Sequence, residues 1–290
     1  MIRRPAVAGQ FYAGTRRECL AEITECLPAG PLNLALPETI VAGIVPHAGW
    51  VFSGDLAAMV FAAIKQVKQE PDTFILLGAA HGCYDMCPVI FPDGAWETPL
   101  GQIEIDTDLT SQLIALGARP DVQAHRHEHS IEVQVPFIQH LFPKAKLVAA
   151  IMPPASNGYE CDFGQKVGTL LKTKSINAVC IASTDLTHYG PRYGFAPKGT
   201  GSNGIHWAHS TNDMDFIDNA LQMDAERLMK SSLQHENACG PAGAAAAIAA
   251  AKAIGRTQGY LLAHTNSSQV LEDKFRQSST ESVGYAAIVF

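Results

Sequence analysis

The sequence predicts an α/β fold: a single three-layer domain over residues 1–290, with a central mixed sheet flanked by helices. Three observations carry this. Apolar runs of buried-strand length recur at residues 40–45, 73–80, 146–152 and 177–183. Segments with the apolar spacing of helices separate them. The apolar share, 47% of 290 residues, is ample for a large buried core.

The elements follow in order. Residues 1–12 read as an extended arm. Thr15-Arg16-Arg17-Glu18 has capping-box spacing, and Leu20, Ile23 and Leu27 continue it as a helical stripe that Pro28 and Pro31 end. A helix is expected around residues 56–67. Pro and Gly turns between short apolar pieces predict hairpin-like strands over residues 89–104. A helix from Thr107 carries Leu109, Leu113 and Leu116, and another runs to Leu141 after a polar stretch. Residues 159–171, 214–221, 224–231 and 240–254 are expected to be helical, with Pro241 suited to a first turn. Strands at residues 259–264 and 283–289 complete the pattern. Residues 191–213 are Gly-rich and aperiodic, and read as a long loop of the kind that walls or covers a site.

Composition narrows the function. A net charge of -7 offers no basic footprint for nucleic acid or an anionic membrane. The longest apolar stretches are too short to span a bilayer. The N-terminal MIRRPAVAGQFYAG has no secretory core, and seven cysteines show no framework spacing. Reduced thiols in a cytoplasmic protein are the expectation. A symmetric homodimer is the ordinary assembly for a soluble enzyme.

The chemistry concentrates where strands stop. VAGIVPHAGWVFSG ends its apolar run at Pro46, and His47 follows at once; TFILLGAA ends in His81; NAVCIAS ends in Thr184-Asp185-Leu186-Thr187-His188. Open α/β sheets bind ligands at such strand ends. Neutral imidazoles are good ligands for iron, copper or zinc, though a lone buried histidine is more often simply hydrogen-bonded. On a helical turn Asp185 and His188 would face one side. His188 is then a general acid or base, and Asp185 a metal ligand or its orienting partner; the alternative is an ordinary cap. Cys239, at the mouth of the Ala-rich helix, meets unsatisfied amides and the positive end of the helix dipole, which should lower its pKa. A thiolate there could ligate metal or act as a nucleophile; the alternative is a small packing residue. His129 and Glu132, one turn apart in the polar run before a helix, are candidates to touch substrate, or else belong to a solvated loop. Gly199-Thr200-Gly201-Ser202-Asn203-Gly204 fits GxGxxG, but no strand precedes it and no clear helix follows, so dinucleotide binding is not expected.

Together these pieces resemble the Memo family, the B component of the AmmeMemoRadiSam set. The resemblance rests on RPAVAGQFY from Arg4, PHAGWVFSG, the GAAHG turn, EHSIEVQVPF from Glu128, STDLTHYG from Ser183, NACG from Asn237 and ESVGYAA from Glu281. It implies the LigB-like fold of class III extradiol dioxygenases, which hold non-haem iron with two histidines and a glutamate and use another histidine as acid–base catalyst. By that resemblance His47 and His81 stand at the histidine-ligand positions, and Cys239 replaces the glutamate. His188 stands at the acid–base position, with Asp185 close by. Thiolate is softer than carboxylate and shifts preference toward copper(I) or zinc, or tunes iron differently.

The function expected is a metal-dependent oxidoreductase of dioxygenase type. Iron(II) sits in a His/His/Cys pocket, with copper or zinc as alternatives. Two rival readings are a non-catalytic module that binds a peptide or small ligand in an inherited pocket, and a zinc-dependent hydrolase. The family set implies AMMECR-type and radical-SAM partners.

Overall fold

A computed structural model describes every residue of the chain except Tyr84 and Ser156. Among these residues the chain runs β1 (Ile2–Arg3), α1 (Arg16–Cys26), β2 (Ala42–Val45), α2 (Trp50–Gln66), β3 (Thr73–Gly78), β4 (Val89–Ile90), β5 (Ala95–Thr98), β6 (Gly101–Glu104), α3 (Thr107–Ala115) and β7 (Arg119–Pro120). It continues through α4 (Val135–Leu141), β8 (Lys146–Ile151), α5 (Tyr159–Thr173), β9 (Ala178–Ser183), β10 (His188–Tyr189), α6 (Ser202–Trp207), α7 (Asp213–Leu221) and α8 (Ala225–His235). It ends with α9 (Pro241–Ile254), β11 (Tyr260–Asn266), α10 (Ser267–Phe275) and β12 (Ser282–Val289).

The main sheet has the order β10-β12-β2-β9-β3-β8-β4-β7, with β11 also paired to β12. Strands β2, β9, β3 and β8 are parallel, whereas β12 runs antiparallel to β2 and β4 to β8. The sheet is therefore mixed, as the sequence predicts. Gly43 pairs with Val289, so the first long strand meets the last. A small sheet, β1-β5-β6, ties the N-terminal arm to the hairpin.

Strand alternation divides the core. Phe74 and Leu76 of β3 pack in one layer with Ile23, Phe61 and Phe137 of α1, α2 and α4. Ile75 and Leu77 face the other, with Phe163, Phe216, Leu228 and Ala246 of α5, α7, α8 and α9. Both faces are covered, which is why the central strands are apolar throughout. No helix among the described residues is long and apolar enough to cross a membrane.

Close approach explains the composition of α9. A Cβ at Gly164 or Gly168 of α5 would overlap the carbonyl oxygen of Ala246 or Ala250. Gly164→Leu is expected to cost about 1–3 kcal/mol through overpacking, despite the better helix propensity of leucine. A lower urea midpoint reads this out; an unchanged midpoint would mean the two helices part without cost.

Several elements differ from expectation. Residues 191–213 are not one loop: α6 forms, and a π-helical turn, Ala208–Asn212, leads into α7. The extra residue in that turn destroys the 3.6 period that reveals helices in sequence. The GxGxxG run does open a helix, α6, but one of six residues with no strand leading into it. Helix α2 starts at Trp50, well before residue 56, and α10, capped by Asn266, was not anticipated. Asp185 to His188 is extended, not a helical turn. Leu186 N–H donates to Gly284 O at 2.7 Å and Gly284 N–H to Thr187 O at 3.0 Å, pairing this segment with the end of the chain.

Candidate metal centre

Because β2, β9 and β3 are adjacent and parallel, their C-terminal ends share one edge. Residues His47, Asp185 and His81 follow those three ends, where ligands gather in open α/β sheets. The loop between α8 and α9 brings Cys239 to the same place. One donor atom each from His47, His81 and Cys239 lies within 4.8 Å of the others.

The hydrogen bonds fix the orientation of each donor. The Ser183 hydroxyl donates to Ser130 O at 2.7 Å, so its oxygen accepts from His47 Nδ1 at 3.2 Å. That assigns the proton to Nδ1 and turns the lone pair of Nε2 toward Cys239 Sγ, 3.2 Å away. His81 Nδ1 donates to Glu128 Oε1 at 2.9 Å, and its backbone N–H to Oε2 at 3.0 Å, leaving Nε2 free. A carboxylate behind a ligating imidazole is the usual device for fixing tautomer and raising basicity. Asp185 accepts from the backbone N–H of His47 at 2.7 Å and of Ala48 at 3.3 Å, and its own N–H donates to Cys239 Sγ at 3.3 Å.

Burial dominates the electrostatics. It lowers His47 to about 3, with His81 adding to the effect, so this imidazole is neutral. Burial also pulls on His81, but the hydrogen bond and charge of Glu128 outweigh it and the net shift is upward. Burial opposes the charge of Glu128 too, yet its bonds to His81 and to backbone N–H groups hold the carboxyl below the usual range. The thiol of Cys239 is raised, not lowered. Desolvation and then the charge of Asp185 overcome the amide donor that the helix-mouth argument anticipated. Asp185 is itself raised by burial. His188 is lowered by burial, with Asp185 opposing, and its buried Nε2 has no hydrogen-bond partner among the described residues.

A cleft of about 1000 Å³ opens over this centre. His47, His81, His129, Asp185 and His188 line it. The His129 ring stacks on His81 at 4.4 Å between centroids and meets Phe11 edge-on at 4.9 Å. Desolvation, followed by His47 and His81, lowers His129 to about 4. From residues 191–213 only Arg192 and Tyr193 line the cleft; the N-terminal arm, including Phe11, supplies a further part of the lining. The rest of the 191–213 segment, expected from sequence to close the pocket, does not line it.

Glu132 is not at the cleft. It is fully buried, ion-paired with Arg3, and accepts from Ala6 N at 2.8 Å, Val7 N at 3.0 Å and Tyr12 OH at 3.0 Å. Its helical turn points it under the arm, so it shapes the cleft only through the residues it holds. Besides Asp185, a second carboxylate reaches the centre: Glu128, which sequence reasoning passed over. Its signal was its place between His127 and His129 in a polar run before a helix. Ser183, the last residue of β9, was missed for the same reason: one hydroxyl among many carries no periodic signature.

Comparison with known proteins gives the fold and the family. An uncharacterized protein, JW3007, from Escherichia coli K12 has a crystal structure that superposes with a TM-score of 0.51 at 12% identity, covering 84% of this chain and 99% of that one. That likeness is one of fold alone, a layered arrangement of helices about a mixed sheet. A MEMO1 family protein of Thermococcus onnurineus (strain NA1) is 36% identical over 299 residues, covering 100% of this chain and 99% of its own. Another MEMO1 family protein, from Nitrosopumilus maritimus (strain SCM1), is 32% identical over 297 residues and covers both chains completely. The family model described as Memo-like protein matches residues 3–289, and the chain belongs to the Memo family.

Proposed function

We propose that this Memo-family chain is a metal-dependent oxidoreductase of dioxygenase type, with iron(II) held by His47, His81 and Cys239. The observation that carries the reading is the convergence of two oriented imidazoles and one thiol within 4.8 Å, with both imidazoles lining a cleft. The donor set fits a metal: His47 Nε2 and His81 Nε2 each have their other ring nitrogen engaged, and the sulfur faces the first of them. Two imidazoles and an anionic third ligand leave positions open, as in non-haem iron oxygenases. Iron, when bound, supplies the redox chemistry toward oxygen that no side chain offers.

The remaining roles belong to the chain itself. His188, neutral by burial and with an unpartnered Nε2, accepts a proton from a substrate hydroxyl, and the nearby charge of Asp185 stabilises the imidazolium that forms. Asp185 also positions His47 through its backbone N–H. His129 and Phe11 offer aromatic faces against which a flat substrate packs.

The softness of sulfur favours a second reading, a zinc hydrolase, and the same test decides. Purified protein is loaded anaerobically with iron(II), then mixed with a catechol under oxygen. Stoichiometric iron, lost in Cys239→Ala, together with oxygen uptake supports the oxidoreductase. Zinc retained against iron, with no oxygen uptake, supports the hydrolase. Failure to take up any metal, with metal-independent binding of a peptide or small anion, would leave a binding module.

A further inference from the structure

A second cluster of metal-ligating side chains lies outside the cleft. His209 belongs to the π-helical turn, Asp213 begins α7, and His264 lies on β11. The rings of His209 and His264 stack, with centroids 4.0 Å apart and planes 17° from parallel. His264 Nε2 is 3.1 Å from Asp213 Oδ2. One donor atom from each of the three lies within 4.8 Å of the others. None of the three lines the cleft described above.

Ordinary packing accounts for part of this arrangement, since an Asp–His hydrogen bond with a stacked neighbour is common. It leaves His209 Nδ1 unexplained. That atom is buried and has no hydrogen-bond partner among the described residues. Buried polar atoms are nearly always satisfied, and an exception calls for a ligand.

The backbone is irregular beside the cluster in both elements that supply its histidines. Helix entry is through a π turn, a feature frequent at functional sites. Strand β11 has a register shift between Leu261 and Ala263, just before His264, and such bulges re-aim side chains. The carboxylate is held in place as well. Asp213 Oδ1 accepts from Thr187 N at 3.0 Å, which leaves Oδ2 for another partner. Across from it, a Cβ on residue 284 would overlap Asp213 Oδ2, so glycine there leaves the carboxylate undisplaced.

We infer that His209, Asp213 and His264 form a second divalent-metal site, for an ion of the zinc class. Two imidazole nitrogens and one carboxylate oxygen suit zinc or cobalt, whereas magnesium and calcium prefer oxygen alone. Ligand bonds of about 2.0–2.2 Å bring donors to roughly 3.3 Å of one another, so the imidazoles turn out of their stack by about an ångström as they bind. The ion joins the π turn to β11. Through Asp213 and the Thr187 N–H, it also stiffens the segment that ends in His188.

Cobalt(II) is the probe, added to the full-length protein in equilibrium dialysis with absorption spectra. The wild-type chain is expected to bind two ions, only one giving thiolate-to-cobalt charge transfer. His264→Ala and, separately, the part-exposed His209→Ala should each bind one ion and keep the charge-transfer band. Cys239→Ala should bind one and lose the band. If instead the wild type binds one ion without that band and His264→Ala binds none, the cleft reading fails and this site stands. Should both histidine variants bind as much cobalt as the wild type, the second site is overturned.

Discussion

Replacing Glu132 with alanine is expected to lower the unfolding free energy by about 3–5 kcal/mol, the cost of stranding one half of a buried ion pair. Its partner Arg3 is only 5% exposed. The guanidinium also donates from Nε to His125 O at 3.0 Å and from Nη2 to Glu128 O at 2.7 Å, and it lies 4.2 Å from the centroid of the Trp96 ring. Removing Glu132 leaves that charge and the Ala6 and Val7 amides without their acceptor. Urea denaturation followed by circular dichroism measures the loss. The double variant Arg3→Met/Glu132→Leu should be more stable than Glu132→Ala, because it removes both charges and keeps the volume. A loss below about 1 kcal/mol for the single variant would show that the arm is not anchored there. The arm carries Phe11, so the same variant is expected to loosen the part of the cleft wall that Phe11 forms.

Glu128→Gln should weaken metal binding by about 10–100-fold, the usual effect of removing an outer-shell carboxylate. The amide can still accept from His81 Nδ1, but its NH2 group then faces the His81 backbone N–H, which now donates to Oε2. The imidazole loses the negative charge that makes it a stronger donor. Competition with a chromophoric chelator gives the affinity, and a melting curve separates this effect from any loss of fold. Equal affinity in the variant would place His81 outside the set of ligands. It would not touch the roles assigned to His47 and Cys239.

The strand ends were legible because three apolar runs stop abruptly at polar residues, and a buried parallel strand has no other reason to do so. His47 and His81 therefore stood out from sequence, and the structure brings them together with Cys239. The Asp185 to His188 segment misled, because its conformation is set by Gly284, a partner too distant for local pattern to reveal. Glu132 misled for a similar reason. Helical spacing places it one turn from His129, but only the path of the N-terminal arm decides which side of that turn is wet. The direction of the Cys239 shift turned on a balance between desolvation and one amide donor, and sequence shows the donor but not the burial. His209 went unseen since a π turn erases the period by which helices are read.

The pairing of Gly43 with Val289 has a kinetic consequence. Bringing opposite ends of a polypeptide side by side costs loop entropy before any contact repays it. The chain is thus expected to fold slowly, with docking of β12 on β2 a late step. Until then β2 presents an open row of amides and carbonyls, the kind of edge that recruits a neighbouring molecule. Dilution and low temperature during refolding protect that half-built sheet from self-association.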